Sequence, residues 1–193
     1  SALSAFATDP SYISATRVPE VTRCAAAQQW LASAALRRRV QRLTHAPRRI
    51  RKESYGIKVR LLEFGFAELV AHAPEERRAA CDAFCATQAW WLDDFALFRA
   101  LKERRRFASW ETWPDGLRQR DAGALARVRS ALAPRIRFAQ YVQWVAAEQW
   151  AAIRAHAQQR GVRVMGDLPF VCSRDSADVW AHPELFDLSS TAG

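Results

Sequence analysis

The chain has 193 residues, of which 50% are hydrophobic, with only 7 Gly and 8 Pro; that is enough for one sizeable core and favours helices over a turn-rich all-β fold. No run of about 18 apolar residues occurs, and Ser1–Phe6 lacks the basic-then-apolar pattern of a secretory leader, so neither a membrane span nor a signal peptide is expected. The net charge of +9 admits an anionic partner, but the cations are nearly all Arg in short clusters (Arg37–Arg39, Arg48–Arg49, Arg104–Arg106), which suit helix C-termini and read as solvated surface, with no specific nucleic-acid role expected.

Residues 1–18 read as extended or loop, with a turn at Asp9-Pro10. A helix is expected to start with Pro19 in its first position and run to about Arg42. His45 to Gly56 holds Pro47 and several cations and reads as an exposed connector. Val59, Leu62, Phe66, Leu69 and Val70 give helical spacing over Ile57–Ala71. Pro74 opens the next helix, with Glu75 and Glu76 in its first turn where carboxylates suit the dipole; a break is expected near Trp91. Trp110, Trp113 and Pro114 punctuate a loop. Asp115–Ala131 is a weaker helix, and Pro134 starts a long one with an apolar stripe through Ile136, Val142, Val145 and Ile153, ended by Gly161. Val162-Arg163-Val164-Met165 and Gly166 come next as a β-prone run, the one clear strand, at 162–166. A long helix, a glycine, a short strand and a polar turn form the αβ half of a βαβ unit.

The four cysteines, Cys24, Cys81, Cys85 and Cys172, form no CxxC pair. Cys81 and Cys85 share one helix face, and His72 and His182 are not spaced to complete a zinc site. No metal or cofactor is implied. The thiols read as structural and reduced, which fits the cytoplasm.

Carboxylates concentrate in the last third. Asp167 falls just past the C-terminal end of the expected strand, the end that faces ligand in α/β folds; it binds a sugar hydroxyl pair there or caps a turn. Asp175-Ser176-Ala177-Asp178-Val179-Trp180 offers two carboxylates and an indole, the chemistry of a sugar subsite. The same string reads equally as a helix start with Asp175 or Ser176 as N-cap. Of the eight Trp, Trp90, Trp91, Trp144 and Trp150 are expected in the core, and Trp110 and Trp113 are weaker candidates for stacking on a sugar.

Five strings stand in order: Ser4-Ala5-Phe6-Ala7 with Asp9-Pro10 and Ile13-Ser14; Trp91-Leu92-Asp93-Asp94-Phe95-Ala96-Leu97-Phe98 with Ala100-Leu101-Lys102-Glu103; Trp110 with Trp113-Pro114; Phe138, Tyr141, Gln143-Trp144 and Glu148-Gln149-Trp150; and Gly166-Asp167-Leu168-Pro169-Phe170 with Asp175 to Trp180 and His182-Pro183-Glu184-Leu185-Phe186 after it. Together they resemble the amylomaltase-type 4-α-glucanotransferases, glycoside hydrolase family seventy-seven. Two positions depart from that pattern: Asp9, where the family commonly has Asn, and Val171, where an aromatic is usual. The resemblance implies an α/β parent, a (β/α)8 barrel with helical insertions, of which this predominantly α-helical sequence is an internal piece, roughly the first third. Residues 1–14 would leave the barrel as an extended segment, 15–132 would form a helical insertion subdomain, and 133–193 would return to the barrel through a helix, the third strand and the loop after it. It implies transfer of α-1,4-linked glucan between maltooligosaccharides with retention, and Asp167, Asp175 and Trp180 as substrate-binding residues. The family's Arg-x-Asp-His-x-Arg-Gly string does not occur, so no catalytic residue is expected within this chain. The expected partner is a maltooligosaccharide or α-glucan; the oligomeric state stays open. Two other readings remain: a helical basic nucleic-acid-binding protein, and a glucan-binding module without catalysis.

Overall fold

The computed structural model describes residues 3–45, 51–166 and 171–189. Ten α-helices account for most of the described residues: α1 (Pro19–Arg23), α2 (Ala25–Ala32), α3 (Ala34–Thr44), α4 (Arg51–His72), α5 (Glu75–Thr87), α6 (Ala89–Arg104), α7 (Asp115–Arg118), α8 (Ala122–Ala131), α9 (Ala133–Gln159) and α10 (Ala177–Ala181). None of them is long and apolar enough to cross a membrane.

The helix expected over Pro19–Arg42 is three helices. Cys24 and Ser33 both take extended backbone conformations and interrupt it. Ser33 restarts the helix because its hydroxyl accepts from Leu36 N at 3.3 Å, the side-chain alternative that makes Ser a cap and not an interior residue. At the first break, Gln28 Nε2 donates to the freed Val21 carbonyl at 2.9 Å. The two turns let Val21, Ala27 and Leu36 all face inward. Arg37–Arg39 accordingly lie in the middle of α3, not at its end.

α4 begins at Arg51, so the part of the expected connector from 51 to 56 is helical, while 46–50 lie outside the described residues. Tertiary partners hold that extra turn: Glu53 pairs with Arg39, and Tyr55 accepts from Arg99 Nη2 at 3.0 Å. The break between α5 and α6 falls at Gln88, not Trp91, and Gln88 Oε1 accepts from Trp91 Nε1 at 2.8 Å. The weaker helix expected over Asp115–Ala131 is divided into α7 and α8, with Asp121 capping Ala124 N at 2.8 Å. α9 carries Pro134 in its first turn and closes on Gly161, whose φ of 69° lets Val162 N reach back to the Ala157 carbonyl at 2.9 Å.

α6 buries Leu92, Phe95, Ala96, Leu97, Phe98, Ala100, Leu101 and Lys102, a broad inward face that makes it the central helix. It packs along α9 and also meets α5 and α10, while α4 packs on α9 and carries α1. Arg77 of α5 bolts this arrangement together. Its Nε donates to Glu20 Oε1 of α1 at 2.9 Å, and its two Nη atoms grip Glu148 of α9 at 2.7 and 3.0 Å. Its guanidinium also lies 4.2 Å over the Trp144 ring. Burial would lower its pKa, but the hydrogen bonds it donates to Glu148 and Glu20 outweigh that and raise it further.

The strand expected at 162–166 is absent. Val162, Val164 and Met165, the last 95% exposed, form no ladder. A strand exists only through hydrogen bonds to a neighbouring strand, and no described segment lies beside this one to supply them. Trp90 and Trp150, expected in the core, are exposed, whereas Trp144 is buried.

Gly65 of α4 is demanded by close approach. A Cβ there would sit 2.6 Å from Tyr141 Oη and 2.9 Å from Val21 Cγ2. We expect Gly65→Ala to lose about 1–3 kcal/mol to overpacking, against at most about 1 kcal/mol of helix propensity gained. Tyr141→Phe removes the nearer atom, a hydroxyl without a partner, and should recover part of the loss in the double variant. Urea denaturation of the four proteins measures this; a Gly65→Ala chain as stable as its parent refutes the packing argument.

Candidate functional site

The described parts of the C-terminal segment dock on α6 through one buried cation. Lys102, 1% exposed, sends its ammonium to Asp175 Oδ2 at 2.5 Å and to the carbonyls of Phe107 and Ala108 at 3.1 and 2.9 Å. These three acceptors use all three of its donors. The carbonyls are available because the chain leaves α6 through left-handed residues, Arg106 at φ 52° and Phe107 at φ 63°, an unfavourable conformation for non-glycine residues that persists only where the surroundings over-determine it. The other oxygen of Asp175 accepts from Trp110 N at 3.2 Å, and Trp110 Nε1 donates to the Arg174 carbonyl at 2.8 Å.

Ser176 then caps α10, accepting from Val179 N at 3.3 Å. Of the two caps the sequence allows, the serine is used, and Asp175 is free for Lys102. Asp178 reaches the other end of the chain: Oδ1 accepts from Ser4 Oγ at 3.0 Å and Oδ2 from Ala5 N at 2.8 Å, while Ala177 N donates to the Leu3 carbonyl at 2.8 Å. The N-terminal segment is held along α9 by two glutamines. Gln143 accepts from Thr8 N at 2.8 Å and returns a bond to Thr8 O at 3.0 Å; Gln149 does the same for Ser14 at 2.8 and 3.1 Å. Each amide thus supplies a backbone unit with the pair of bonds that a neighbouring strand would.

Trp180 is wholly enclosed. Its ring is 5.7 Å from both Phe98 and Trp113, the Arg120 guanidinium lies 4.4 Å over it, and its Nε1 donates to the Leu117 carbonyl at 2.9 Å. The substrate contact expected of it therefore has no accessible face in this structure. Trp110 and Trp113 are buried in the same cluster and likewise offer none. Asp175 stays about one-third exposed, but both of its oxygens are engaged. Asp167 lies outside the described residues.

A cavity of about 1290 Å³ lies elsewhere, between residues 3–12 and helices α4, α6 and α9. Asp9, Tyr55, Lys58, Arg99, Glu103 and Gln143 give it a polar wall. Burial pushes the Tyr55 phenol above its ordinary value, opposed by the Arg99 guanidinium. Neither Asp175 nor Trp180 lines this cavity. Of this wall, Asp9, Glu103 and Gln143 stand in the ordered strings of the sequence, whereas Tyr55 was missed because it sits in a stretch that reads as connector. Among the described residues no group of three His, Cys, Asp or Glu side chains is arranged to hold a metal ion. The arrangement can bind and position, through hydroxyl, amide and ionic groups.

A family profile described as 4-alpha-glucanotransferase matches residues 1–193. The chain is 46% identical over 124 residues to the 4-alpha-glucanotransferase of Thermus thermophilus, covering 64% of this chain and 24% of that protein. It is 38% identical over 134 residues to the 4-alpha-glucanotransferase of Aquifex aeolicus, covering 69% of this chain and 26% of that one. It therefore spans about a quarter of the length of these relatives. Among solved structures, an amylomaltase from Streptococcus agalactiae in complex with acarbose is similar in fold, with a TM-score of 0.77 and 24% identity over 97% of this chain and 36% of that one.

The clasp is directly testable. Asp175→Asn leaves the Lys102 ammonium buried without its counter-charge, a change that costs about 3–5 kcal/mol for a fully buried pair; because Asp175 is partly exposed, we expect about 2–3 kcal/mol. Amide exchange over 171–181 should accelerate as α10 is released. Equal stability together with unchanged exchange in this segment rules the clasp out.

Proposed function

The chain belongs to the 4-alpha-glucanotransferase family, and from that membership we propose that it is the helical and substrate-positioning part of an enzyme that moves α-1,4-linked glucan chains between maltooligosaccharides. The observation that carries this reading is the family match over the whole of 1–193; the acarbose-bound amylomaltase of similar fold supports a glucan-like substrate. The family match favours this reading over nucleic acid, and part of the basic charge is taken up internally: Arg77, Arg99, Arg120, Arg135, Arg137 and Arg174 all sit in ion pairs.

In this proposal the parent fold is a (β/α)8 barrel. Residues 1–14 leave it, 15–132 form the helical insertion, and 133–193 return to it. The run 162–166 is exposed and has no β structure in this chain, and in the parent enzyme Asp167, just after it, holds a sugar hydroxyl pair. Asp175 and Trp180 act behind it, fixing the far end of the loop that carries Asp167. Retention requires a carboxylate nucleophile and an acid/base carboxylate about 5–5.5 Å apart, and we assign both to residues outside this chain, since the family's Arg-x-Asp-His-x-Arg-Gly string is not in the sequence. The acceptor is a sugar hydroxyl that outcompetes water for the glycosyl-enzyme. Four thiols without a disulfide support a reducing, cytoplasmic setting, and maltodextrin, starch or glycogen metabolism as its context.

Two measurements test the proposal. The 193-residue chain incubated with maltotriose should yield neither glucose nor longer oligomers, whereas a protein continued through the missing carboxylates should yield both; product from the short chain overturns the placement of the nucleophile. In the longer protein, Asp167→Asn should lower kcat/KM about ten- to hundredfold with the fold retained, as a charged hydrogen bond contributes about 1.5–3 kcal/mol and about 1.4 kcal/mol is tenfold in rate. Unchanged kinetics would make Asp167 a turn cap, and loss of folding would make it structural.

A further inference from the structure

Cys81 and Cys85 stand one turn apart on the inner face of α5, where it meets α9. Cys81 is wholly enclosed, while Cys85 is 9% exposed at the edge of the core. Arg137 of α9 aims Nη1 at Cys85 Sγ, 3.1 Å away, and its other nitrogen holds Asp82. Cys81 lies one turn earlier on the same face of α5. Cys85 therefore meets a cationic donor, and the proposed glucan chemistry does not use its sulfur. We propose that Cys85, gripped by Arg137 beside Cys81, is a site of covalent modification whose thiolate attacks small hydroperoxides.

The titratable groups acting on it are Cys81 and Asp82 from its own helix and Arg137 from α9. The hydrogen bond from Cys81 lowers its pKa most; burial opposes this, Arg137 adds to it, and the balance falls at about 7. Cys81, the donor, is raised. Cys172 is also raised, by burial and then by Asp178. A cation beside a sulfur favours the thiolate, the reactive form of the thiol, and the burial of Cys85 limits the reagent to a small one. In the reaction, the Cys85 sulfur attacks the terminal oxygen of the hydroperoxide. A sulfur–oxygen bond forms as the oxygen–oxygen bond breaks, and the electron pair leaves on the alkoxide, which takes a proton from water. The sulfur is oxidised to a sulfenic acid and the hydroperoxide is reduced to an alcohol, or to water when it is hydrogen peroxide.

The pH midpoint is a sharper signature than the absolute rate. A thiol pKa lowered from about 8.5 to about 7 raises the thiolate fraction at pH 7 about fifteenfold, but the weaker intrinsic nucleophilicity returns about fivefold of that, leaving roughly threefold. The test uses the full 193-residue chain. Iodoacetamide pulses from pH 5 to pH 9, read by peptide mass spectrometry, should give Cys85 a midpoint near pH 7. Hydrogen peroxide followed by dimedone should then leave its adduct on Cys85. Arg137→Gln should move the midpoint upward. The proposal is overturned by a Cys85 midpoint of 8.5 or higher, by a Cys85 that stays unmodified throughout, or by a dimedone adduct on Cys24 or Cys172 and none on Cys85. Because the first two readings come from the unaltered chain, they stand whether or not the Arg137 variant folds.

Discussion

A buried ammonium has to find all of its partners, and Lys102, enclosed in the core, thereby fixes the path of the chain on either side of it. Its three acceptors come from two distant parts of the chain, so satisfying the charge also joins them. The exit from α6 takes its left-handed turn where the Phe107 and Ala108 carbonyls can reach Nζ. Asp175 is drawn to the same point, which leaves Ser176 as the cap of α10 and sets Trp180 between Phe98 and Trp113. A hydrophobic residue at 102 would bury as well, but would leave two carbonyls and a carboxylate with no common partner.

The same economy governs the N-terminal segment. Residues 3–14 have no strand beside them among the described residues, yet their polar backbone is satisfied at intervals by side-chain amides and a carboxylate: Asp178 at Ala5, Gln143 at Thr8 and Gln149 at Ser14. Helices α9 and α10 thereby hold the N-terminal segment against the helical unit. Asp175 is engaged by Lys102 and Trp110, and Trp180 is enclosed, so both serve to seat α10 on the helices beneath it.

The candidate site was only partly legible for that reason. Carboxylates beside a tryptophan compose a sugar subsite and also compose a capped helix over an aromatic core, and residue type alone does not separate the two. Burial does: it encloses Trp180, Trp110 and Trp113 and gives Asp175 an internal cation. Conversely, Trp90 and Trp150 sit in apolar stretches of sequence yet lie on the surface. Trp90 is covered only in part, by Phe6, whose ring centroid is 4.9 Å away in an edge-on arrangement. The reach between Tyr55 and Arg99 across α4 and α6 has no trace in local pattern.

The features legible from residue order alone were local and cumulative: the ordered strings that mark the family, the helix openings at Pro19, Pro74 and Pro134, the closure at Gly161, and the shared face of Cys81 and Cys85. Each depends on residues within a turn or two of one another, where fixed φ, a missing N–H or a permitted positive φ decides the outcome. Packing in three dimensions settled the rest. It chose where the first long helical stretch breaks, because Cys24 and Ser33 bend the chain only if Val21, Ala27 and Leu36 have a common core to enter. It extended α4 back to Arg51 by supplying Arg39 and Arg99 as partners. It left 162–166 without β structure, because a strand's hydrogen bonds belong to its neighbour and β-propensity alone does not provide one.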